Sequence, residues 1–148
     1  MKSVFDKDTR DHLISRIHTL NENSQPLWGK MNIYQMLKHC VLCEEMYHGK
    51  TKYPRVFLGR IFGKIGLKNL IKDETPLKQN EPTSGAFKIS EPNGNVSAEK
   101  KKWLTLMEQY GHFSNNDFVH WFFGKMTKEQ IGYFVYKHTD HHLRQFNS

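Results

Sequence analysis

The chain has 148 residues, 37% hydrophobic and 13% aromatic, with a formal charge of +7. That length suits one domain with a core of its own, and the composition excludes wholesale disorder. Two cysteines cannot build a disulfide framework, and no apolar run is long enough to span a bilayer. The charged start "MKSVFDKDTRDHL" also lacks the apolar stretch of a signal peptide, so a reducing, cytoplasmic location is expected.

Four segments read as helix. The first begins at about Asp6 or Asp8 and runs to Asn21, with Leu13, Ile14, Ile17 and Leu20 at helical spacing, and ends in "NENSQPLWGKM", where Pro26 and Gly29 break the pattern. The second opens at Asn32, an N-cap with Gln35 as its capping-box partner, and carries Ile33, Met36, Leu37, Cys40, Val41 and Tyr47 in one stripe before Gly49. Cys40 and Cys43 lie inside this helix rather than at its N-terminus, where a thiolate would be stabilised, so both read as core residues.

From Lys50 to Val96 the pattern weakens. "RVFLGRIFGKIGLKNLIK" is amphipathic, but its three glycines point to a short or broken helix, and the Pro- and Gly-rich "DETPLKQNEPTSGAFKISEPNGN" reads as a loop wrapped over the body. The positive charge is strongest here, where Lys50, Lys52, Arg55, Arg60, Lys64, Lys68 and Lys72 recur with no acid between them. No helix-turn-helix, zinc-finger spacing or RNA-binding signature accompanies it, which disfavours nucleic acid as a partner.

The third helix spans about Ser97 to Tyr110, with Trp103, Leu104, Leu106 and Met107. In "HWFFG", Trp121, Phe122 and Phe123 are expected to cap one end of the fold; the other reading lines a pocket mouth and puts His120 near substrate. The fourth helix opens at the capping box Thr127 to Gln130 and runs to the C-terminus. Strand signals are almost absent. Sequential helices with one long crossover between the second and third describe an all-α four-helix bundle.

The segment "YKHTDHHLRQF" carries the chemistry. At 100° per residue, Phe134, Val135, His138, His142, Gln145 and Phe146 share one arc, with His138 and His142 at its centre. Imidazoles four residues apart are stacked neighbours and can converge on one cation. The competing reading is a pair of core histidines bonded to carbonyls or carboxylates, since burying them unpaired is costly. A third ligand should come from a facing helix. His39 lies beside the apolar stripe, off its centre; Glu44 is nearer the centre, as a fourth ligand, a general base or a partner orienting a histidine. His48, His112 and His120 lie close to helix ends or in loops.

"HTDHHLRQF" resembles the C-terminal metal motif of the DinB/YfiT-like superfamily, in which two histidines separated by three residues are followed by a Gln. "WGKMNIYQMLKHC" resembles the start of that superfamily's second helix, where a Trp precedes the helix and a histidine sits within it. The resemblance implies an up-down-down-up bundle holding a divalent cation, Zn or Ni, on His39, His138 and His142. It departs from the "HHRGQ" form at Leu143 and Arg144, and in its basic insertion. Characterised members include thiol S-transferases and a thiol-dependent isomerase. By that analogy the chain is expected to join a low-molecular-weight thiol to an electrophile, with Arg55, Arg60 and Lys64 attracting an anionic thiol, and the same analogy implies a homodimer. A hydrolase with Glu44 as base, a non-enzymatic metal-binding module, and a module that binds nucleic acid or an anionic membrane surface through the basic segment are the alternatives.

Overall fold

The computed structural model describes residues 1–148. It is mostly helical, with five α-helices, two 3-10 turns and one antiparallel two-stranded ribbon. α1 (Lys7–Thr19) is capped by the Asp6 carboxylate, which accepts the Thr9 N–H at 2.9 Å, and it buries Leu13 and Ile17. α2 (Ile33–Tyr47) and α5 (Lys128–Gln145) both start with the reciprocal capping boxes expected, Asn32 with Gln35 and Thr127 with Gln130. α4 (Val96–Glu108) is capped by Asn95, buries Trp103, Leu106 and Met107, and tightens into a 3-10 turn over Gln109–His112.

α1 and α2 each pack against both α4 and α5. Leu13, Ile17, Met36, Leu37, Trp103, Met107, Ile131 and Leu143 lie between them without measurable access to solvent, or nearly so. Each such side chain removed from water contributes about 1.5–3 kcal/mol, which makes this the main source of stability. At the rim, Asp140 of α5 accepts Arg16 of α1 and Arg144, both at 2.7 Å. Arg16 also donates to the Ser148 carbonyl, so it pins the end of the chain to α1.

The amphipathic basic segment corrects the expectation of a short or broken helix. α3 runs uninterrupted from Phe57 to Leu70. Its glycines lower helix propensity, but they allow a close approach: a Cβ on Gly59 or Gly63 would stand 2.5 Å or 2.2 Å from the Phe122 carbonyl oxygen. Tertiary packing overrides local propensity here. The surface that α3 meets is the loop of the ribbon formed by β1 (Val119–His120) and β2 (Gly124–Lys125), where Val119 opposes Lys125.

The loop after α3 contains one 3-10 turn, Gly85–Phe87, and is strapped across the start of α2. The Asn32 amide donates to the Pro92 carbonyl, the Gln35 amide to Ile89 and Glu91, and Lys38 pairs with Glu91 at 2.7 Å. That strap brings the Phe87 carbonyl to α2. No helix is long and apolar enough to cross a membrane.

Candidate metal centre

Three histidines from two helices meet beneath the strap. One ring nitrogen from each of His39, His138 and His142 lies within 4.8 Å of the others. His39 Nε2 and His138 Nε2 are 3.3 Å apart. Nitrogens about 2.0–2.1 Å from a tetrahedral ion are separated by about 3.3–3.4 Å, so this spacing matches one edge of such a site.

Neighbours set which nitrogen faces inward. His39 Nδ1 lies 2.9 Å from the Phe87 carbonyl, an acceptor only, so it carries the proton and Nε2 presents a lone pair. His142 Nδ1 lies 2.9 Å from Gln145 Oε1. The Gln145 amide is itself oriented, because its Nε2 donates to the Trp28 carbonyl at 2.9 Å. This puts the amide oxygen toward His142 and leaves His142 Nε2 as the unprotonated nitrogen. Fixing a ring through its second nitrogen is what orients a metal-binding histidine.

The loop that supplies Trp28 is shaped for this contact. Gly29 has φ +81°, and a Cβ there would come within 2.7 Å of the Gln145 amide nitrogen. The Leu27 N–H donates to the Gln145 carbonyl at 2.7 Å, and the Trp28 ring meets His141 edge-on. The two segments that carry the sequence resemblance therefore touch at the histidine cluster. Gln145 was legible only as a core-facing position in the motif; its role as orienting acceptor was missed.

Burial holds all three histidines in the neutral form. It lowers the pKa of His39 despite the bond to Phe87, and pushes His138 and His142 well below the ordinary value, with mutual repulsion adding to the effect. Neutral imidazoles with lone pairs turned to one point are the form a cation requires. His138 is the most accessible of the three and stacks on Phe134, with ring centroids 6.1 Å apart. The donor set fits a divalent ion with positions left for a further ligand.

The other candidates lie apart from this group. Glu44 is buried, its carboxylate accepts the Tyr110 hydroxyl, and burial raises its pKa to about 7. His120 is buried against Phe123, and its Nδ1 accepts the N–H groups of Phe122 at 3.1 Å and Phe123 at 3.2 Å. Burial and the nearby Arg55 depress its pKa to about 3. Arg55 donates to the carbonyls of Gly59 and Phe122, Lys64 donates to that of Lys125, and Arg60 is exposed. His48 sits against the Leu106 carbonyl at 3.0 Å, and His112 is exposed. Cys40 and Cys43 are free, buried thiols with raised pKa values; Cys43 Sγ approaches His39 Nε2 at 3.8 Å without joining the cluster.

The fold and this cluster define a helical protein with a buried three-histidine site that could hold a metal. The chain belongs to the family described as Protein of unknown function (DUF1569), which matches residues 3–148. Among curated proteins and solved structures, none gives a significant match.

Proposed function

We propose that the chain is a divalent-metal-dependent enzyme of the DinB/YfiT type, which transfers a low-molecular-weight thiol to an electrophile. On this reading α1, α2, α4 and α5 form the four-helix bundle, in up-down-down-up order, and α3 with its following loop is the crossover. The packing of α1 and α2 against both α4 and α5 supports that assignment.

The observation that carries the proposal is the convergence of His39, His138 and His142, with two rings oriented through Nδ1 by the Phe87 carbonyl and Gln145. When bound, Zn or Ni supplies Lewis acidity that lowers the pKa of a coordinated thiol or water. The chain's own residues do the rest. Phe87 and Gln145 keep two imidazoles in the tautomer that leaves Nε2 bare. The aromatic wall of Phe87, Phe134 and Trp121 excludes water around the rings. His120, whose Nδ1 is occupied by two backbone N–H groups, carries its proton on Nε2 and acts as a neutral hydrogen-bond donor to substrate.

Transfer is favoured over hydrolysis because Glu44, the candidate base for a hydrolase, is committed to Tyr110 rather than to the histidines. Arg55 and Lys64 are engaged by main-chain carbonyls, so attraction of an anionic thiol falls to the positive field of the whole chain.

The test is metal content, by mass spectrometry, of untagged wild type and of His138→Ala with His142→Ala. Near-stoichiometric metal that disappears in the double variant supports the site; a wild type that stays empty after reconstitution with Zn²⁺ or Ni²⁺ overturns it. A loaded protein that consumes no thiol with any of a panel of electrophiles would sink the transferase while leaving the site.

A further inference from the structure

α3 buries one face and leaves the opposite one without a partner. Gly59, Gly63 and Leu67 are turned to the protein. Phe57, Leu58, Ile61, Phe62 and Ile65 are turned to solvent, with exposures of 73, 60, 51, 54 and 63%. At 100° per residue these five fall within one arc, and Arg60, Lys64 and Lys68 follow along one edge of it. Lone exposed apolar residues need no explanation, but five on one helix form a contiguous patch of the kind that marks an interaction surface.

The charge around the patch selects its occupant. No acid lies between Lys50 and Lys72, and Lys52, Arg60, Lys68 and Lys72 are all exposed. A second copy of the chain would cover the apolar stripe but bring two acid-free basic segments into one interface. A nucleic acid would neutralise the charge but leave Phe57, Phe62 and Ile65 in water. An anionic membrane surface satisfies both, accepting the apolar face at the acyl boundary and the cations among its headgroups. The close seating of α3 on Phe122 makes it a rigid platform rather than a segment that must fold on contact.

We propose that α3 is an interfacial helix that docks the protein on anionic membranes, lying flat with its exposed apolar stripe immersed. The inference is independent of the metal reading. Its test is co-sedimentation of the full chain with vesicles of phosphatidylcholine alone and of phosphatidylcholine mixed with phosphatidylglycerol, over a salt series. Binding to the mixed vesicles that weakens with salt, with little on the neutral ones, is expected. Each cation near such a surface contributes roughly a five-fold factor, so Arg60→Glu with Lys68→Glu should weaken binding by about 25-fold or more. Ile61→Ser with Ile65→Ser should weaken it by about ten-fold or more, with an unchanged melting curve because both side chains are exposed in the fold. Equal binding to both vesicle types, or full binding by the serine variant, overturns the proposal. So does a serine variant that only converts a dimer to a monomer, or DNA binding that survives it in the absence of vesicle binding.

Discussion

Glu44 offers the sharpest test of how the interior is organised. Its carboxylate is desolvated on α2, and its pKa rises from 4.5 to about 7 because the hydrogen bond from the Tyr110 hydroxyl only partly offsets burial. Below about pH 4.5 the group is protonated in both folded and unfolded chains and costs nothing. As pH rises, the unfolded chain ionises first, so stability falls until the folded-state pKa near 7 is passed. The gap between 4.5 and about 7 corresponds to about 3 kcal/mol, an upper bound for the penalty at alkaline pH. Glu44→Gln keeps the shape and leaves an amide oxygen to accept the Tyr110 hydroxyl. We expect it to be nearly neutral at about pH 5 and more stable than wild type by about 2–3 kcal/mol at about pH 8.5. Urea unfolding followed by circular dichroism at the two pH values, in chelator, measures both. A difference between variant and wild type that does not change with pH would refute the reasoning. Metal content is a second readout: Glu44→Gln should load as wild type does, and a large loss would bring Glu44 into the site.

Removing the orienting amide by Gln145→Ala should weaken metal binding by about 10–100-fold in chelator competition, with the helix retained; unchanged affinity would exclude an orienting role. Gly63→Ala should destabilise by about 1–3 kcal/mol, because its Cβ would meet backbone at 2.2 Å, whereas Gly66→Ala, whose nearest neighbour is at 3.8 Å, should stabilise by about 0.5–1 kcal/mol. Thermal melts that shift in the same direction would contradict that packing. His120, with a folded pKa near 3 against 6.5, stays neutral while the unfolded chain takes up a proton. Stability is therefore lost as pH falls from about 6.5 toward 3, by up to about 1.4 kcal/mol per pH unit. His120→Asn keeps an acceptor for the Phe122 and Phe123 N–H groups and should flatten that slope in urea titrations; an unaltered slope would mean another group titrates.

The helices were legible where propensity, capping and burial agree. Asn32 with Gln35, and Thr127 with Gln130, announce the starts of α2 and α5 and form the expected caps. His138 and His142 were legible for the same reason, since periodicity alone puts both on the core-facing arc. His39 was harder, because an apolar stripe defines only part of a buried face. α2 packs between α4, α5 and the Phe87 turn, so its buried arc extends past Cys40 to His39 and Cys43. The continuity of α3 was not legible, because what Gly59 and Gly63 gain lies in a contact with Phe122, sixty or so positions away. Nor could spacing reveal that the Gln145 amide is turned by the Trp28 carbonyl.

The hydrogen bonds also assign unequal roles to the three imidazoles. His39 and His142 are each fixed through Nδ1, by the Phe87 carbonyl and by Gln145. The contact of His138 is the 3.3 Å approach to His39 Nε2. The His138 Nδ1 makes no hydrogen bond, so no neighbour presets the tautomer of this ring. A cation requires Nε2 bare with the proton on Nδ1, and His138, stacked on Phe134 and more accessible than the others, is the ring free to adopt that form. The cluster thus combines two preset ligands with one adjustable ligand on its more accessible side. A preset pair lowers the entropic cost of binding, and a third ligand that no neighbour fixes can adjust its ring to the ion.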